Sequence, residues 1–414
     1  MFRPVIAAVW VVVLCLSGFA ADEQAVPADA GAAKTALAPA VQPKPLSQNV
    51  DRGLAWLAQH QLDSGAWGQG EESAGMGGGA KLKDIPSVAD TCVAALAMLR
   101  SGSTPAQGPY AKNVLSAVNF LCAQVEEADK DSLYITSTRD TRVQAKLGPY
   151  IDTFLACLLL TEAQEKMPDK ASLARVSTAL EKVLHKIQKN QRADGTWDGR
   201  GWAPALSQAM AAKGINRAAQ SGAPVDEAVR EKAERYAREQ VDASGKVSGA
   251  GSAGVELYAF AASVGAQNDS AGTNIRLKAE SEEKLRDAKT DVDRKDAQAT
   301  LDRIDSGEKD LDRARASMVS RLEDKQFIAG FGSNGGEEFL SYMNIGEALV
   351  VKGGEDWQKW DQSITENLNR IQNTDGSWTG HHCITGRTFC TSSALLVLMV
   401  DRTPMPIAAK FARR

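Results

Sequence analysis

The densest group of chemically reactive side chains lies near the carboxyl terminus, within ten positions: His381, His382, Cys383, Arg387 and Cys390. Thiols and imidazoles are ligands for Zn²⁺, and two cysteines this close can form a disulfide in an oxidising compartment. Three interpretations stay open. The first is a Cys383–Cys390 disulfide, the second two unlinked thiols among polar loop residues. The third is a zinc site that uses one or both histidines, Cys383 and either Glu337 or Cys390. We predict no cofactor, with zinc as the alternative.

Acidic residues at the predicted starts of apolar helices are the second group. A helix amino terminus carries free N–H groups and a positive dipole end, which favour acids or anionic ligands. Helix capping explains each acid taken singly. Together on one rim, they would surround a small polar site at the mouth of a cavity. The candidate catalytic acids are Asp90, Asp152, Glu337 and Glu338. The candidate ligand contacts are His381, His382, Arg387, Tyr150, Trp202 and Tyr342.

A motif that occurs three times indicates which elements position these groups. Each copy follows an amphipathic helical stretch and precedes a more apolar one. The glycine ends the helix, the tryptophan covers the turn, and the glutamine amide can bond backbone groups freed at helix ends. We interpret the motif as a structural staple between helices. Its residues are Gln61, Gly65 and Trp67, then Gln191, Gly195 and Trp197, then Gln372, Gly376 and Trp378.

The hydrophobic pattern predicts pairs of helices, one amphipathic and one apolar. Amphipathic helices belong outside and helices that are apolar all round belong inside. The predicted pairs are 48–61 with 87–101, 111–126 with 149–164, 172–190 with 203–219, 224–241 with 252–266, and 356–372 with 387–400. A charged insertion over about 268–334 takes the remaining outer position beside an inner helix at 335–351. The predicted fold class is all-α, an α6/α6 toroid over residues 48–402.

The charged insertion contains two sets of apolar residues spaced by seven, and Gly307 lies within the second set. The first set is Leu285, Val292 and Ala299, and the second is Ile304, Leu311 and Met318. This spacing predicts two helices folded as a hairpin, as in a coiled coil, with a thin apolar seam. A single extended outer helix or partial disorder is the alternative.

The repeated Gln-x-x-Asp-Gly-x-Trp between paired helices resembles the repeat of squalene–hopene cyclases, related terpene cyclases and protein prenyltransferase β-subunits. The resemblance implies a toroid whose inner helices line a central cavity. Class II terpene cyclases also use an Asp-x-Asp-Asp string, which is missing here; the nearest match, Asp291-Val-Asp293-Arg294, lies in the charged insertion. The zinc site of the prenyltransferases has no clean match either. Only 6% of the residues are aromatic, whereas cyclase cavities are rich in aromatic rings.

Composition and the amino terminus indicate export. Arg3, an apolar run over 5–16 and small residues at 18–20 are typical of a signal peptide over 1–20, with an uncleaved anchor as the alternative. Residues 21–47 read as an Ala/Pro-rich flexible linker and 403–414 as a tail. The run is too short to span a bilayer comfortably, so we expect no transmembrane span in the mature chain. A net charge of −4 does not favour a nucleic-acid partner.

We therefore expect a periplasmic or extracellular monomer that binds a small ligand or a protein partner without catalysing a reaction. The first alternative is an enzyme of the terpene cyclase or prenyltransferase class with a non-standard acid. The second is a carbohydrate-active toroid, because such enzymes use paired carboxylates.

Overall fold

The computed structural model describes residues 40–73, 82–332 and 334–404. They form fourteen α-helices and no β-strand, so the all-α prediction is confirmed. In chain order the helices are α1 (Gln48–Gln59), α2 (Val88–Arg100), α3 (Ala111–Glu127), α4 (Arg142–Leu147), α5 (Ile151–Gln164), α6 (Lys170–Lys189), α7 (Pro204–Gln220), α8 (Glu227–Glu239), α9 (Glu256–Asp287), α10 (Asp291–Val319), α11 (Lys325–Ile328), α12 (Gly336–Val350), α13 (Gly354–Ile371) and α14 (Arg387–Leu398). A 3₁₀ turn, Val400–Arg402, follows α14. The predicted signal peptide lies outside the described residues.

Six helices are buried on all sides, and we call them the inner helices: α2, α5, α7, the first half of α9, α12 and α14. Each packs against the next in that order, and α14 packs back against α2, so their contacts form a closed cycle. The amphipathic helices α1, α3, α6, α8, α10 and α13 each pack on one or more inner helices. Burying one apolar face against the inner set is what their sequence pattern requires. The α6/α6 toroid remains a prediction that this cycle of contacts supports.

The three motif copies make the same contacts. Each indole N–H donates to a carbonyl of the preceding outer helix at 2.8 Å, that of Leu57, Ile187 or Leu368. Each glutamine amide donates to its own motif glycine and to a first-turn carbonyl of the next outer helix. The last of these joins Gln372 to Asn49, which links the end of α13 to the start of α1. Such a motif fastens neighbouring outer helices to each other.

Gly195→Ala tests the close approach inside one staple. Gly195 has a φ of +88°, and an added Cβ would lie 2.2 Å from the Lys232 carbonyl oxygen on α8. A left-handed backbone costs a non-glycine residue about 1–2 kcal/mol, and the overlap adds to this cost. We expect Gly195→Ala to lose more stability in urea denaturation than Gly222→Ala, whose φ is +91° but whose Cβ would meet nothing within 4 Å. Equal losses of stability in the two variants would show that the approach of Gly195 to the Lys232 carbonyl does not destabilise the alanine variant.

The charged insertion is a helical hairpin, but two details of its prediction were wrong. The fourth inner helix continues into the first arm of the hairpin, and the turn at 288–290 divides the first heptad-spaced set between the two arms. Helix α10 runs through Gly307, where an added Cβ would lie 2.9 Å from Glu234 Oε1, so glycine lets α10 approach α8 closely. The seam buries Ile304, Leu311 and Met318 as predicted.

The other predicted seam residues are not buried. Val292 is 68% exposed, Ala299 is exposed and Leu285 is half-buried. The physical reason is the position of the turn, which places Leu285 on one arm of the hairpin and Val292 and Ala299 on the other. Ala297 and Leu301 are buried in their place.

The predicted linker and tail both contribute to the folded unit over part of their length. Val41 and Leu46 pack against the core, and the Lys44 backbone N–H donates to Asp401 at 2.7 Å. Thr403 donates to Glu347 at 3.2 Å. Apolar and charged groups in 41–46 find partners on α13 and the 3₁₀ turn, so this end of the linker is ordered, contrary to the prediction.

Candidate ligand site at the amino-terminal ends of the inner helices

Asp90 and Asp152 serve as caps that connect α2 and α5. Asp152 accepts the Ala89 backbone N–H at 2.9 Å and the Gln144 side-chain amide at 2.7 Å. Asp90 accepts the Ser87 hydroxyl at 2.6 Å. Burial raises the pKa of Asp90 to about 7, and burial likewise raises the pKa of Asp152. Their contacts are those of the capping role, so these two acids stay in a cluster of their own.

Glu337 and Glu338 occupy the first turn of α12, and both side chains are completely buried. Oε2 of Glu337 accepts the backbone N–H of Ile384 at 3.2 Å. Glu338 accepts the Tyr258 hydroxyl and, at 3.0 Å, the Phe331 backbone N–H. Nε2 of His382 lies 3.5 Å from Glu338 Oε2. These contacts bring the starts of α9, α12 and α14 together around two adjacent carboxyl groups.

Burial controls the protonation of this acid pair. It raises the pKa of Glu337 to about 8, and repulsion from Glu338 adds to the effect. Burial also raises the pKa of Glu338, against the lowering effects of His382 and the Tyr258 hydroxyl. A carboxyl group placed in a poorly solvated site favours its neutral form. At neutral pH Glu337 therefore holds its proton.

Two exposed aromatic rings stand beside these acids. The Trp202 ring, just before α7, lies 5.4 Å from that of Phe331 at an interplanar angle of 87°. Phe331 in turn lies 5.3 Å from the His382 ring. The ammonium of Lys146 lies 5.4 Å from the centre of the Trp202 ring. We call this set the rim cluster: Lys146, Trp202, Tyr258, Phe331, Glu337, Glu338 and His382.

The rim cluster contains only part of the predicted site. Arg387 lies apart and pairs with Asp375 at 2.6 Å. Tyr150 packs on Tyr134 with ring centres 4.6 Å apart. Tyr342 is buried, and its hydroxyl donates to the Ile328 carbonyl at 2.6 Å. His381 is exposed, and its backbone N–H donates to the Asn334 carbonyl at 2.8 Å.

Of the three interpretations of Cys383 and Cys390, the disulfide is wrong, since both thiols are free and buried. The Cys390 thiol donates to the Ile384 carbonyl at 3.3 Å, whereas the Cys383 thiol lies beside the Glu337 carboxyl. Burial and the Glu337 charge raise the pKa of Cys383 to about 11, so this thiol is not a ready nucleophile. Over residues 40–73, 82–332 and 334–404, no group of three or more His, Cys, Asp or Glu side chains is arranged to hold a metal ion.

Sequence reasoning missed Tyr258, Phe331 and Lys146. Phe331 lies between two glycines, and an aromatic residue in a Gly-Phe-Gly loop was a usable signal of exposure. Tyr258 and Lys146 look like ordinary helix residues in the sequence, because their role depends on which inner helices meet.

A buried ion network at the opposite ends of the inner helices was also missed. Lys213 Nζ lies 2.7 Å from Asp269 Oδ2, Arg217 Nε lies 3.0 Å from Asp269 Oδ1, and Lys213 also bonds Glu347. Arg100 pairs with Glu162 at 2.7 Å. The six side chains come from α2, α5, α7, α9 and α12. This network joins five of the six inner helices through buried ion pairs.

Glu337→Gln provides a pH test of the rim. The folded-state pKa of Glu337, about 8, lies above the ordinary value of 4.5. The favourable contribution of its proton is therefore complete below pH 4.5 and is lost as the pH rises to about 8. We expect wild-type stability in urea to fall relative to Glu337→Gln over this interval. Parallel stability curves for the two proteins would contradict the raised pKa.

No protein-family model matches this chain. No curated protein is similar to it in sequence either. Within the described part of the chain, no helix is both long and apolar enough to cross a membrane.

Proposed function

We propose that this protein is an exported α6/α6 toroid that binds a ligand or partner at the rim cluster without catalysing a reaction. The observation that carries the proposal is the meeting of exposed and buried groups at one place. Trp202 and Phe331 are 39% and 50% exposed, while the neighbouring Glu337 and Glu338 are completely buried. Exposed aromatic rings beside convergent polar groups are typical of ligand sites.

The closed cycle of inner-helix contacts and the three staples support the toroid. They also agree with the proposed kinship to the squalene–hopene cyclase repeat. In such a ring all inner helices begin on one face, and the rim cluster draws on the starts of α7, α9, α12 and α14. The binding face of the toroid is then the face with the amino-terminal ends.

The buried ion network argues against the cyclase alternative. A polyprene substrate needs a deep apolar cavity, and carbocations are stabilised by aromatic rings. Charged side chains of Lys213, Asp269 and Glu347 instead fill part of the enclosed space. Moving them aside would leave charges unpaired in the interior, which costs several kcal/mol.

A sugar-binding form of the same site is the second candidate. The exposed Trp202 ring favours it, because an aromatic face can carry the apolar side of a ligand ring. It uses the same rim cluster and differs only in the chemistry of the ligand.

A thermal-shift screen of small amines, polyols and carboxylic acids tests the proposal. A compound that binds only the folded state raises the melting temperature. We expect stabilising compounds for the wild type whose effect is lost in Trp202→Ala and kept in Leu173→Ala, since Leu173 is a similarly exposed side chain on α6. Stabilisation that persists in Trp202→Ala, or the lack of any stabilising compound, would contradict binding at the rim.

A further inference from the structure

The rim cluster holds a buried acidic oxygen that lacks a partner. Oε1 of Glu337 accepts no well-formed hydrogen bond from the described residues, although the side chain is fully buried; its nearest polar neighbour named above is the weakly donating Cys383 thiol. Burial keeps this carboxyl group protonated at neutral pH, and a cation that pairs with it favours the ionised form. Glu338 adjoins it in the sequence and brings a second buried carboxyl group. The site therefore favours the arrival of positive charge.

The exposed aromatic rings provide a second attraction for positive charge. Trp202 and Phe331 meet nearly at a right angle and form an aromatic corner that is open to solvent. The face of an aromatic ring attracts cations, most strongly for tryptophan. The corner and the acid pair are joined through His382, which touches Phe331 and Glu338.

The fold already places one ammonium group here. Lys146 Nζ lies 5.4 Å from the Trp202 ring centre, and its charge acts on the Glu337 carboxyl. No carboxylate of the described residues lies within salt-bridge distance of this half-buried amine. Lys146 therefore shows that the indole ring of Trp202 has an ammonium group within cation–π distance.

We propose that the rim cluster recognises an organic cation, a quaternary or primary ammonium group that sits in the Trp202–Phe331 corner with Glu337 and Glu338 as its counter-charge. This inference rests on the proposed binding function and deepens it. An anionic ligand fits less well, because it could pair with Lys146 but would lie beside the two buried acids Glu337 and Glu338.

Choline and its uncharged carbon analogue, 3,3-dimethylbutan-1-ol, are matched probes of nearly equal shape. We expect calorimetry to detect choline binding to the full chain and at least tenfold weaker binding of the alcohol. Trp202→Ala is expected to weaken choline binding roughly tenfold, since a partly desolvated cation–π contact contributes up to about 2 kcal/mol. Leu173→Ala serves as the control and is expected to bind like the wild type.

The acid pair predicts a pH dependence of choline binding. A bound cation favours the ionised form of Glu337, so affinity is expected to rise between pH 6 and about 9 and to level off above the pKa of Glu337, about 8. Glu337→Gln, checked for folding by circular dichroism, should bind weakly at every pH. The other charged or titratable groups that face Glu337 are Glu338, Lys146, Cys383, Cys390 and Tyr258, and His382 faces Glu338.

Equal binding of choline and the alcohol, or a flat pH profile in the wild type, would overturn the cation inference. If a polyol binds in a Trp202-dependent way while choline does not, the proposed binding function stands and the inference fails. If Trp202→Ala changes the binding of neither choline nor the polyols, the proposed binding function and the cation inference both fail.

Discussion

Replacing Glu347 with glutamine is expected to lower the free energy of unfolding by about 3–5 kcal/mol, the cost of breaking a buried ion pair from one side. Glu347 bonds Lys213 and lies 3.7 Å from Arg217 and 3.9 Å from Arg100. In the wild type three cations face three carboxylates in this network. The variant leaves one positive charge without a partner in the protein interior.

The same carboxylate predicts loss of stability in acid. Burial alone raises its pKa, but the charges of Lys213, Arg217 and Arg100 outweigh it and lower the pKa of Glu347 to about 2. Its contribution is therefore present above pH 4.5 and is lost as the pH falls towards 2. Urea is uncharged and does not screen ion pairs. Urea denaturation between pH 2 and 7 therefore measures both the stability lost in Glu347→Gln and the stability that the wild type loses in acid. We expect the acid-induced loss to be smaller in Glu347→Gln.

Glu355→Gln is the matched control, because it removes an exposed carboxylate that pairs with Lys359 on the surface of α13. Exposed pairs are screened by solvent and contribute little. The control should denature like the wild type. If the urea midpoint of Glu347→Gln is also unchanged, the side chains of this network are not charged groups paired in the protein interior.

Trp378→Ala is expected to lower the free energy of unfolding by about 3–5 kcal/mol, the range for truncation of a large buried aromatic residue. Trp378 is completely buried, and its backbone and indole N–H groups donate to Thr391 and Leu368. The indole also contacts α1, where a Cβ on Gly53 would lie 2.8 Å from it. One side chain thus connects α13, α14 and α1.

Two further variants separate the contributions of Trp378. Trp378→Phe keeps most of the apolar volume but leaves the Leu368 carbonyl without its donor, which costs about 1–3 kcal/mol. Trp202→Ala removes a tryptophan that is 39% exposed and should change stability little. Similar losses for Trp378→Ala and Trp202→Ala would contradict the staple interpretation.

The helices could be predicted from sequence because amphipathic and apolar stretches alternate and three staples mark their ends. A fourth turn escaped notice. In the segment from Val241 to Val247, valines stand where the other copies have glutamine and tryptophan. The Asp242 backbone N–H nevertheless donates to the Lys246 carbonyl at 3.0 Å, as that of Leu62 donates to Ala66 in the first copy. The backbone turn survives there without its side-chain signature. Periodicity also could not locate the hairpin turn, because exposed charged helices carry no strong apolar signal on either side of it.

The candidate site was only partly predictable. Glu337, Glu338 and His382 were named because acids at helix starts and a histidine-rich loop are visible in the sequence. Arg387 was named for the same reason but turns to Asp375. The buried ion network was invisible, because Lys213, Asp269 and Glu347 are far apart along the chain and become neighbours only when five helices meet.

The indole ¹⁵N–¹H NMR spectrum of the eight tryptophans is the most direct test of ligand binding at the rim. Trp202→Phe assigns the Trp202 signal, and each compound that stabilises the wild type in the thermal screen is then titrated. If a ligand binds at the rim cluster, the Trp202 resonance will move with added compound, while the resonances of the buried Trp67, Trp197 and Trp378 will stay in place. A titration in which the Trp202 resonance does not move while those of other tryptophans do would place the ligand elsewhere and contradict binding at the rim cluster.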